Sequence, residues 1–167
     1  MKKNANLVRY TARGAAVAAL YVVLTAFSAM LGLSSGVIQL RISEALCILP
    51  IFMPEATVGL FVGCLLSNLT VSGGVIWDVI FGSIATLIGA LGARALRRLP
   101  DKLAWLATLP TVIANALIVP PVLIFAYGAE DTYWFILLTV TVGEILSATV
   151  GGAALYYGVK KSKISFK

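Results

Sequence analysis

Five polar side chains of types that bind ligands lie inside or at the ends of apolar stretches. Three are the acids Glu44, Asp78 and Glu144, and two are the amides Asn68 and Asn115. An ionisable group in the hydrocarbon core of a membrane is costly unless it is paired or faces a polar cavity. A carboxylate there can accept charge-assisted hydrogen bonds from a cation or several N–H groups, and an amide can bind a carbonyl. These residues predict a small-molecule site inside the protein.

The expected depths of these side chains describe a funnel. Glu144 lies twelve residues past Thr132, and Asn115 lies twelve past Leu103. Each is therefore about 18 Å along its helix, near the middle of a hydrocarbon core about 30 Å thick, and the two are expected to meet. No basic side chain is expected at this depth, so a ligand would have to complete Glu144. The remaining candidates should lie nearer the outside: Glu44, Asp78 and Asn68.

Each candidate also has a structural alternative. Glu44 could pair with Arg41 on a helix end, and the amides could hold neighbouring helices together. Asp78 could be an interfacial residue beside the aromatic anchor Trp77. Trp77 could instead stack on a flat ligand ring, an alternative that applies equally to the other aromatic residues near the outer ends. Those residues are Tyr127, Tyr133 and Trp134.

Composition indicates a protein that crosses a membrane several times. Of 167 residues, 60% are hydrophobic and 12% are charged, and the mean hydropathy is +0.98. A soluble domain of this size needs far more polar surface. The basic residues lie at the ends of apolar runs instead of forming one face, so we expect contact with membrane lipid and no nucleic acid.

Several kinds of chemistry have no residues to support them. The chain contains no histidine, and Cys47 and Cys64 lie inside apolar stretches rather than in a metal-ligand pattern. The sequence therefore indicates no histidine-based catalysis, no metal site and no cofactor. No nucleophile and base pair is visible either, so an enzyme is not expected.

Six apolar segments predict an all-α protein, a six-helix transmembrane bundle in a single domain covering residues 1–167. Pro54 suits the first turn of a helix and Glu55 its positive end, so a new helix should begin there. The apolar part of the second segment reaches only about 18 Å, so segments two and three could form one re-entrant hairpin, leaving four crossings. The expected helices cover about 12–32, 38–53, 55–71, 77–96, 103–127 and 132–159.

Charge distribution predicts the orientation. Placing both termini in the cytoplasm leaves Arg41 as the only basic residue outside, in agreement with the positive-inside rule, and it requires an even number of crossings. We therefore expect a multi-pass membrane protein with both termini in the cytoplasm. The residues expected at the cytoplasmic side are Lys2, Lys3, Arg9, Arg13, Arg94, Arg97, Arg98, Lys102, Lys160, Lys161, Lys163 and Lys167.

Small residues recur at four-residue spacing, which lines one helix face and lets helices approach closely in lipid. Gly59 and Gly63 form one such pair, and this pair is expected to pack inside the bundle. On the first helix the face could equally dock another subunit. The remaining sets are Gly143, Ser147 and Gly151, then Ala12 with Ala16, and Ala15 with Ala19.

Together these residues resemble the QueT family over nearly the whole chain, from Arg13 to about Gly158. Those proteins are substrate-binding S components of energy-coupling factor (ECF) transporters, associated with uptake of queuosine precursors, the 7-deazaguanines. The resemblance implies a six-helix fold with an outward-facing pocket, in the plasma membrane of a bacterium. It rests on Arg41-Ile-Ser-Glu44-Ala-Leu, Pro50-Ile-Phe-Met-Pro54-Glu-Ala, Ser67-Asn68, Trp77-Asp78-Val-Ile-Phe-Gly82-Ser, Arg94 and Gly143-Glu144.

The same resemblance implies partners. An S component has no ATPase, and it works with a transmembrane coupling subunit and two cytoplasmic ATPases, which it joins through alanine motifs on its first helix. Both Ala12–Ala16 and Ala15–Ala19 fit that motif, and we favour the second. The chain has no G-x-x-x-x-G-K-[ST] phosphate loop, which agrees with energy supplied by a partner.

The implied substrate fits the acids and amides. A 7-deazaguanine presents an N1–H and an amine side by side, which one carboxylate can accept as a pair, and we assign that role to Glu144. Its carbonyl would bind Asn115 or Asn68, and an aminomethyl group would bring a cation to Glu44 or Asp78. The alternatives are an S component for another vitamin, a lone proton-coupled carrier that uses Glu144, and a purely structural subunit.

Overall fold

Helix is the only regular secondary structure in the part of the chain that the structure describes. A computed structural model describes residues 2–33, 39–71, 73 and 75–162, with side chains from residue 6 onward. The all-α prediction is confirmed for these residues. The predicted start of the second helix near residue 38, most of the loop 33–40, and Lys163 and Lys167 lie outside them. The helices are α1 (Lys2–Met30), α2 (Ile42–Ile51), α3 (Glu55–Thr70), α4 (Ile76–Ala95), α5 (Asp101–Tyr127) and α6 (Tyr133–Lys161).

Four of these helices are long and apolar enough to cross a membrane: α1 through its part Asn6–Met30, α4, α5 and α6. Helices α2 and α3 are shorter. At about 2.0 Å per residue in a 3-10 helix, the ten residues of α2 reach about 20 Å, less than the hydrocarbon thickness of about 30 Å. The expected weakness of the second segment is thus confirmed, and the count of six crossings stays a prediction.

Helix α2 lies at the centre of the bundle. It is a 3-10 helix that contacts α1, α3, α4, the start of α5, and the middle and C-terminal parts of α6. Its buried residues include the polar Ser43 and Glu44 as well as Leu46, Cys47 and Ile48. Burying an acidic group is costly unless other polar groups bind it. Because α2 is enclosed by other helices, Glu44 must therefore face a polar site inside the bundle.

Two of the long helices change their hydrogen-bonding pattern along their length. Helix α5 begins as a 3-10 helix, Asp101–Thr108, and continues as an α-helix with Pro120 and Pro121 inside it. Helix α6 is α-helical over Tyr133–Glu144, π-helical over Ile145–Gly151 and α-helical again over Gly152–Lys161. Single π-helical turns occur often at functional sites, and this one begins directly after Glu144.

The glycine faces pack helices together, as the spacing predicted. A Cβ built on Gly59 would collide with the backbone oxygen of Gly14, and one built on Gly63 would lie 2.8 Å from the Cβ of Tyr21, so α1 and α3 touch along this face. On α6, a Cβ at Gly143 would collide with the carbonyl of Gln39. These close approaches fix the segment before α2 against α6, and with it the side chains of the candidate site.

The end of the bundle that carries most of the basic residues is held by polar contacts. Asp101, at the start of α5, accepts a hydrogen bond of 2.7 Å from Tyr156 and forms an ion pair of 2.9 Å with Lys160. The guanidinium of Arg94 donates to the carbonyl of Pro50 at 3.1 Å. Pro54 directly precedes α3, which begins at Glu55 as expected, and Glu55 pairs with Arg13 at 3.4 Å.

Candidate small-molecule site

A small polar chamber lies between the central helix α2 and helices α4, α5 and α6. It holds about 30 Å³, room for about one water molecule. Three carboxyl groups, one guanidinium and two amides reach it from four separate parts of the fold. Its lining consists of Gln39, Arg41, Glu44, Asp78, Gly82, Thr86, Asn115, Val119, Val140 and Glu144.

A second and larger chamber adjoins the first. It holds about 490 Å³, within the range of small-molecule pockets. We call the first the inner chamber and this one the outer chamber, since it lies towards the ends of α4 and α5 that are expected to face outward. Both chambers share Gln39, Arg41, Asp78 and Val119. The outer chamber adds Thr25, Ala29, Val71, Gly73, Leu123 and Tyr127.

An ion pair separates the two chambers. Arg41 lies 3.7 Å from the carboxylate of Asp78 and donates to the amide oxygen of Asn68 at 3.3 Å. Asn68 in turn donates to the backbone oxygen of Asp78 at 3.0 Å, and the hydroxyl of Tyr127 donates to the Asp78 carboxylate at 3.4 Å. Four side chains from α3, α4, α5 and the segment before α2 therefore form one polar layer across the funnel.

This layer corrects two expectations about Arg41. The sequence suggested that it could pair with Glu44 at a helix end, whereas its ion pair in the described part of the chain is with Asp78. The expectation that no basic group shares the depth of Glu144 is wrong, because Arg41 and Glu144 line the same chamber. A guanidinium with an acid and an amide within reach is stabilised inside the protein, which outweighs its preference for water.

Glu44 is fully enclosed and bound by uncharged donors. Its residue is 2% exposed. The hydroxyl of Tyr21 donates to Oε1, and the thiol of Cys47 donates to Oε2 at 3.2 Å. The neighbouring Ser43 accepts a hydrogen bond of 2.8 Å from Thr25, which fastens the start of α2 to α1. Glu44 is thus rigidly placed, but its partners among the described residues carry no positive charge.

Glu144 is the candidate whose hydrogen-bonding capacity is unused. Its Oε2 is buried and has no hydrogen-bond partner among the described residues. A buried acceptor without a partner costs about 1–3 kcal/mol, and more when it is charged. The π-helical turn after Glu144 and the contact between Gly143 and Gln39 hold this carboxyl at the inner chamber. The predicted proximity of Glu144 and Asn115 is confirmed, since both line that chamber.

Asn115 lines the inner chamber, and part of the hydrogen-bonding capacity of its side-chain amide is unused. The residue is 5% exposed, and its Nδ2 donates to the backbone oxygen of Thr111 at 3.2 Å, one turn earlier in α5. An amide has two donor hydrogens and an acceptor oxygen, so one N–H and the oxygen are left for an occupant. Asn115 can therefore serve either a carbonyl or an N–H group.

Two of the predicted site residues lie outside the inner chamber. Asn68 lies behind it and holds Arg41 and Asp78, which agrees with the alternative that it connects helices. Trp77 is 54% exposed, stacks on Phe81 at 6.0 Å between ring centroids, and lines an apolar groove on the outer surface with Phe125. Its position is that of an interfacial anchor.

The alanine face of α1 lies on the surface, away from the chambers. Ala12, Ala15, Ala16 and Ala19 are all exposed, so both possible registers of the alanine motif are accessible. Ala15 also borders a shallow groove between α1 and α3 that ends near Glu55. Exposure agrees with docking but does not distinguish the two registers.

Sequence reasoning missed four polar residues of the site: Arg41 and three whose types gave no signal, Gln39, Thr86 and Tyr21. Gln39 and Thr86 line the inner chamber, and Tyr21 binds Glu44. A glutamine in an outer loop, a threonine in a helix and a tyrosine in an apolar run are ordinary in a membrane protein, so their types gave no signal. A usable signal existed for Arg41, because it is the only basic residue expected on the outer side and it precedes a short, buried helix.

The fold and the chambers define a helical membrane protein that can enclose a small polar molecule among its long apolar helices, as transporters do. The sequence model of the QueT transporter family matches residues 11–161, and the chain belongs to this family. A relative is the queuosine precursor transporter QueT of Lactococcus lactis subsp. cremoris (strain MG1363), 36% identical over 92 residues. That alignment covers 54% of this chain and 53% of the relative, so the chain spans about half of the length of the curated relative that it matches. No solved structure matches the chain.

Proposed function

We propose that the chain is the substrate-binding S component of an ECF importer and captures a 7-deazaguanine queuosine precursor from outside the cell. The observation that carries the proposal is the buried, unpartnered Oε2 of Glu144 beside a polar chamber. A ligand with adjacent N–H donors would satisfy this oxygen and stabilise the carboxylate. Family membership and the name of the Lactococcus lactis relative support a queuosine precursor as the ligand.

In the proposed complex, Glu144 accepts the N1–H and the exocyclic amine of the base, and Asn115 donates to its carbonyl. Both residues line one chamber and keep these hydrogen-bonding groups free. The inner chamber of about 30 Å³ is too small for a two-ring heterocycle, so the base must widen it. The outer chamber of about 490 Å³ is the route of entry, and Arg41 and Asp78 are the side chains that a ligand passes.

The proposal includes a topology and partners. Six crossings with both termini in the cytoplasm would place Arg94, Arg97, Arg98 and Lys102 inside, together with the pair formed by Asp101 and Lys160. The exposed alanine face of α1 is the proposed contact with a transmembrane coupling subunit, which would connect the chain to two cytoplasmic ATPases. The shortness of α2 is compatible with six crossings because it is enclosed by other helices, where local hydrophobic thickness matters less. Helix α3 packs against α1 and α4 and leaves an apolar face exposed, as a helix in contact with lipid would.

Extraction of small molecules from the purified chain tests the proposal most directly. The chain is expressed in cells supplied with a queuosine precursor, purified in mild detergent, denatured and analysed by mass spectrometry. We expect a stoichiometric 7-deazaguanine from the wild-type chain and none from the Glu144→Gln variant. A different vitamin in that extract would overturn the substrate, and equal retention by both chains would overturn the role of Glu144.

A further inference from the structure

The inner chamber has an excess of acidic groups. Glu44, Asp78 and Glu144 line it, and Arg41 is the single basic residue among its lining side chains. Two carboxyl groups therefore have no positively charged partner in the described part of the chain. Because an enclosed site strengthens electrostatic interactions, such an imbalance favours a positively charged occupant over a neutral one and disfavours an anion.

The three acids are not equivalent, because Asp78 is already occupied. Its carboxylate lies 3.7 Å from Arg41 and accepts the hydroxyl of Tyr127 at 3.4 Å. A protonated ligand amine at Asp78 would have to displace the guanidinium of Arg41 or share the carboxylate with it. The two positive charges would repel each other. Asp78, one of the two acceptors that the sequence suggested for an amine, is therefore the poorer choice.

Glu144 and Glu44 differ in how many of their carboxyl oxygens are free to bind a ligand, and this difference suggests a different role for each. Two parallel hydrogen bonds from the edge of a base need two unoccupied oxygens, and Glu144 makes no hydrogen bond to the described residues that would compete. Glu44 has a neutral donor on each oxygen, Tyr21 on one and Cys47 on the other. It retains acceptor capacity for one further N–H group, and it forms no ion pair with the described residues.

We infer that Glu44 is a specificity-determining residue that selects ligands carrying a protonated amine. This inference rests on the proposed function, in which Glu144 holds the guanine-like edge of a 7-deazaguanine. Glu44 and Glu144 line the same chamber, so an amine on the five-membered ring, on the far side of the base from the edge held by Glu144, would have Glu44 as its acceptor. Glu44 is 2% exposed, so water screens its attraction for the amine little. Phosphorylated derivatives of the same base are excluded by the same charges.

Two ligands that differ only in this charge test the inference. A 7-deazaguanine with an aminomethyl group is a cation, whereas the analogue with a nitrile at the same carbon is neutral and has the same guanine edge. Isothermal titration calorimetry on ligand-free chain in detergent gives both dissociation constants. We expect the wild-type chain to bind the aminomethyl compound at least about tenfold more tightly, as one charge-assisted hydrogen bond provides.

Variants assign the preference to Glu44. Glu44→Gln should reduce the ratio of the two dissociation constants to near one while the nitrile compound still binds. The exposed Glu130→Gln is the matched control, because it removes the same charge outside both chambers and should retain the wild-type ratio. Thermal unfolding without ligand shows whether each variant is folded.

The outcomes separate the inference from the proposed function. If the wild-type chain binds both compounds equally, or if folded Glu44→Gln retains the preference, the inference is overturned while the proposed function stands. If the wild-type chain binds neither compound, the proposed function fails together with the inference. Should Glu44→Gln not fold, the wild-type ratio still decides, because equal affinities would contradict a charge-selecting site.

Discussion

Replacing Glu144 by glutamine should change affinity and stability in opposite directions. In the empty protein, the buried Oε2 of Glu144 has no hydrogen-bond partner among the described residues. Glutamine keeps a polar group at this position but removes the cost of burying a charge, so we expect the free energy of unfolding to stay constant or to rise by about 1 kcal/mol. A residue that served only the structure would show the reverse.

The effect on affinity follows from the lost contact. The carboxylate of Glu144 can accept two N–H groups of the ligand, whereas glutamine has only one acceptor oxygen. The amide N–H of glutamine would face the second N–H of the ligand, so two charge-assisted hydrogen bonds become a single neutral one. Removing one partner of a buried charged hydrogen bond costs about 2–5 kcal/mol. We therefore expect the dissociation constant to rise by a factor of about 30 or more, at 1.4 kcal/mol per tenfold. Calorimetric titration and thermal unfolding of the ligand-free chain measure the two effects.

Glu55→Gln provides the mirror-image control. Glu55 is 3% exposed and pairs with Arg13 at 3.4 Å. Neither residue lines the inner or the outer chamber. Its replacement should lower the free energy of unfolding by about 1–3 kcal/mol and leave ligand affinity unchanged. The reasoning is refuted if Glu144→Gln binds within about threefold of the wild type, or if it destabilises the chain as much as Glu55→Gln does.

Three other predictions address docking, energy source and packing. Ala19→Trp should abolish co-purification with the coupling subunit and spare ligand affinity, with Ala12→Trp as the test of the other register; loss of affinity alone would contradict the docking role. Liposomes containing only this chain should show no uptake driven by a pH gradient, whereas accumulation would indicate a stand-alone carrier. Gly143→Leu should lower the free energy of unfolding by about 2 kcal/mol or more, because its Cβ collides with the carbonyl of Gln39; an unchanged unfolding temperature would mean that this contact yields freely.

The helices and their order could be predicted because each contains an apolar run, and in four of them that run is long. The predicted α4, 77–96, corresponds to Ile76–Ala95, and the start at Glu55 follows from Pro54. Helix α1 extends to Lys2, beyond the predicted start near Ala12, because polar residues can continue a helix outside the hydrophobic region. Hydropathy gave no warning of this extension.

The irregular helices could not be predicted in the same way. The 3-10 pattern of α2 and the π-helical turn Ile145–Gly151 depend on which backbone groups pair, and that choice is made by packing between the two segments, which contact each other directly. Their sequences are ordinary apolar ones. Yet Glu44 lies on the first and Glu144 directly before the second, so the details that local sequence does not encode are the ones that aim the two carboxyl groups.

The contacts that close the inner chamber are long ones. Arg41 and Asp78 lie 3.7 Å apart, and Tyr127 reaches Asp78 at 3.4 Å, both at the long end of their ranges. The side chains of Arg41 and Asp78 are 22% and 11% exposed, so separating them leaves enclosed charges that need new partners. A ligand that satisfies Glu144 offsets part of this cost, because it removes the penalty of the unpartnered oxygen. Closure in the empty protein and the proposed capture of a nitrogen-rich base are therefore compatible with one arrangement of charges.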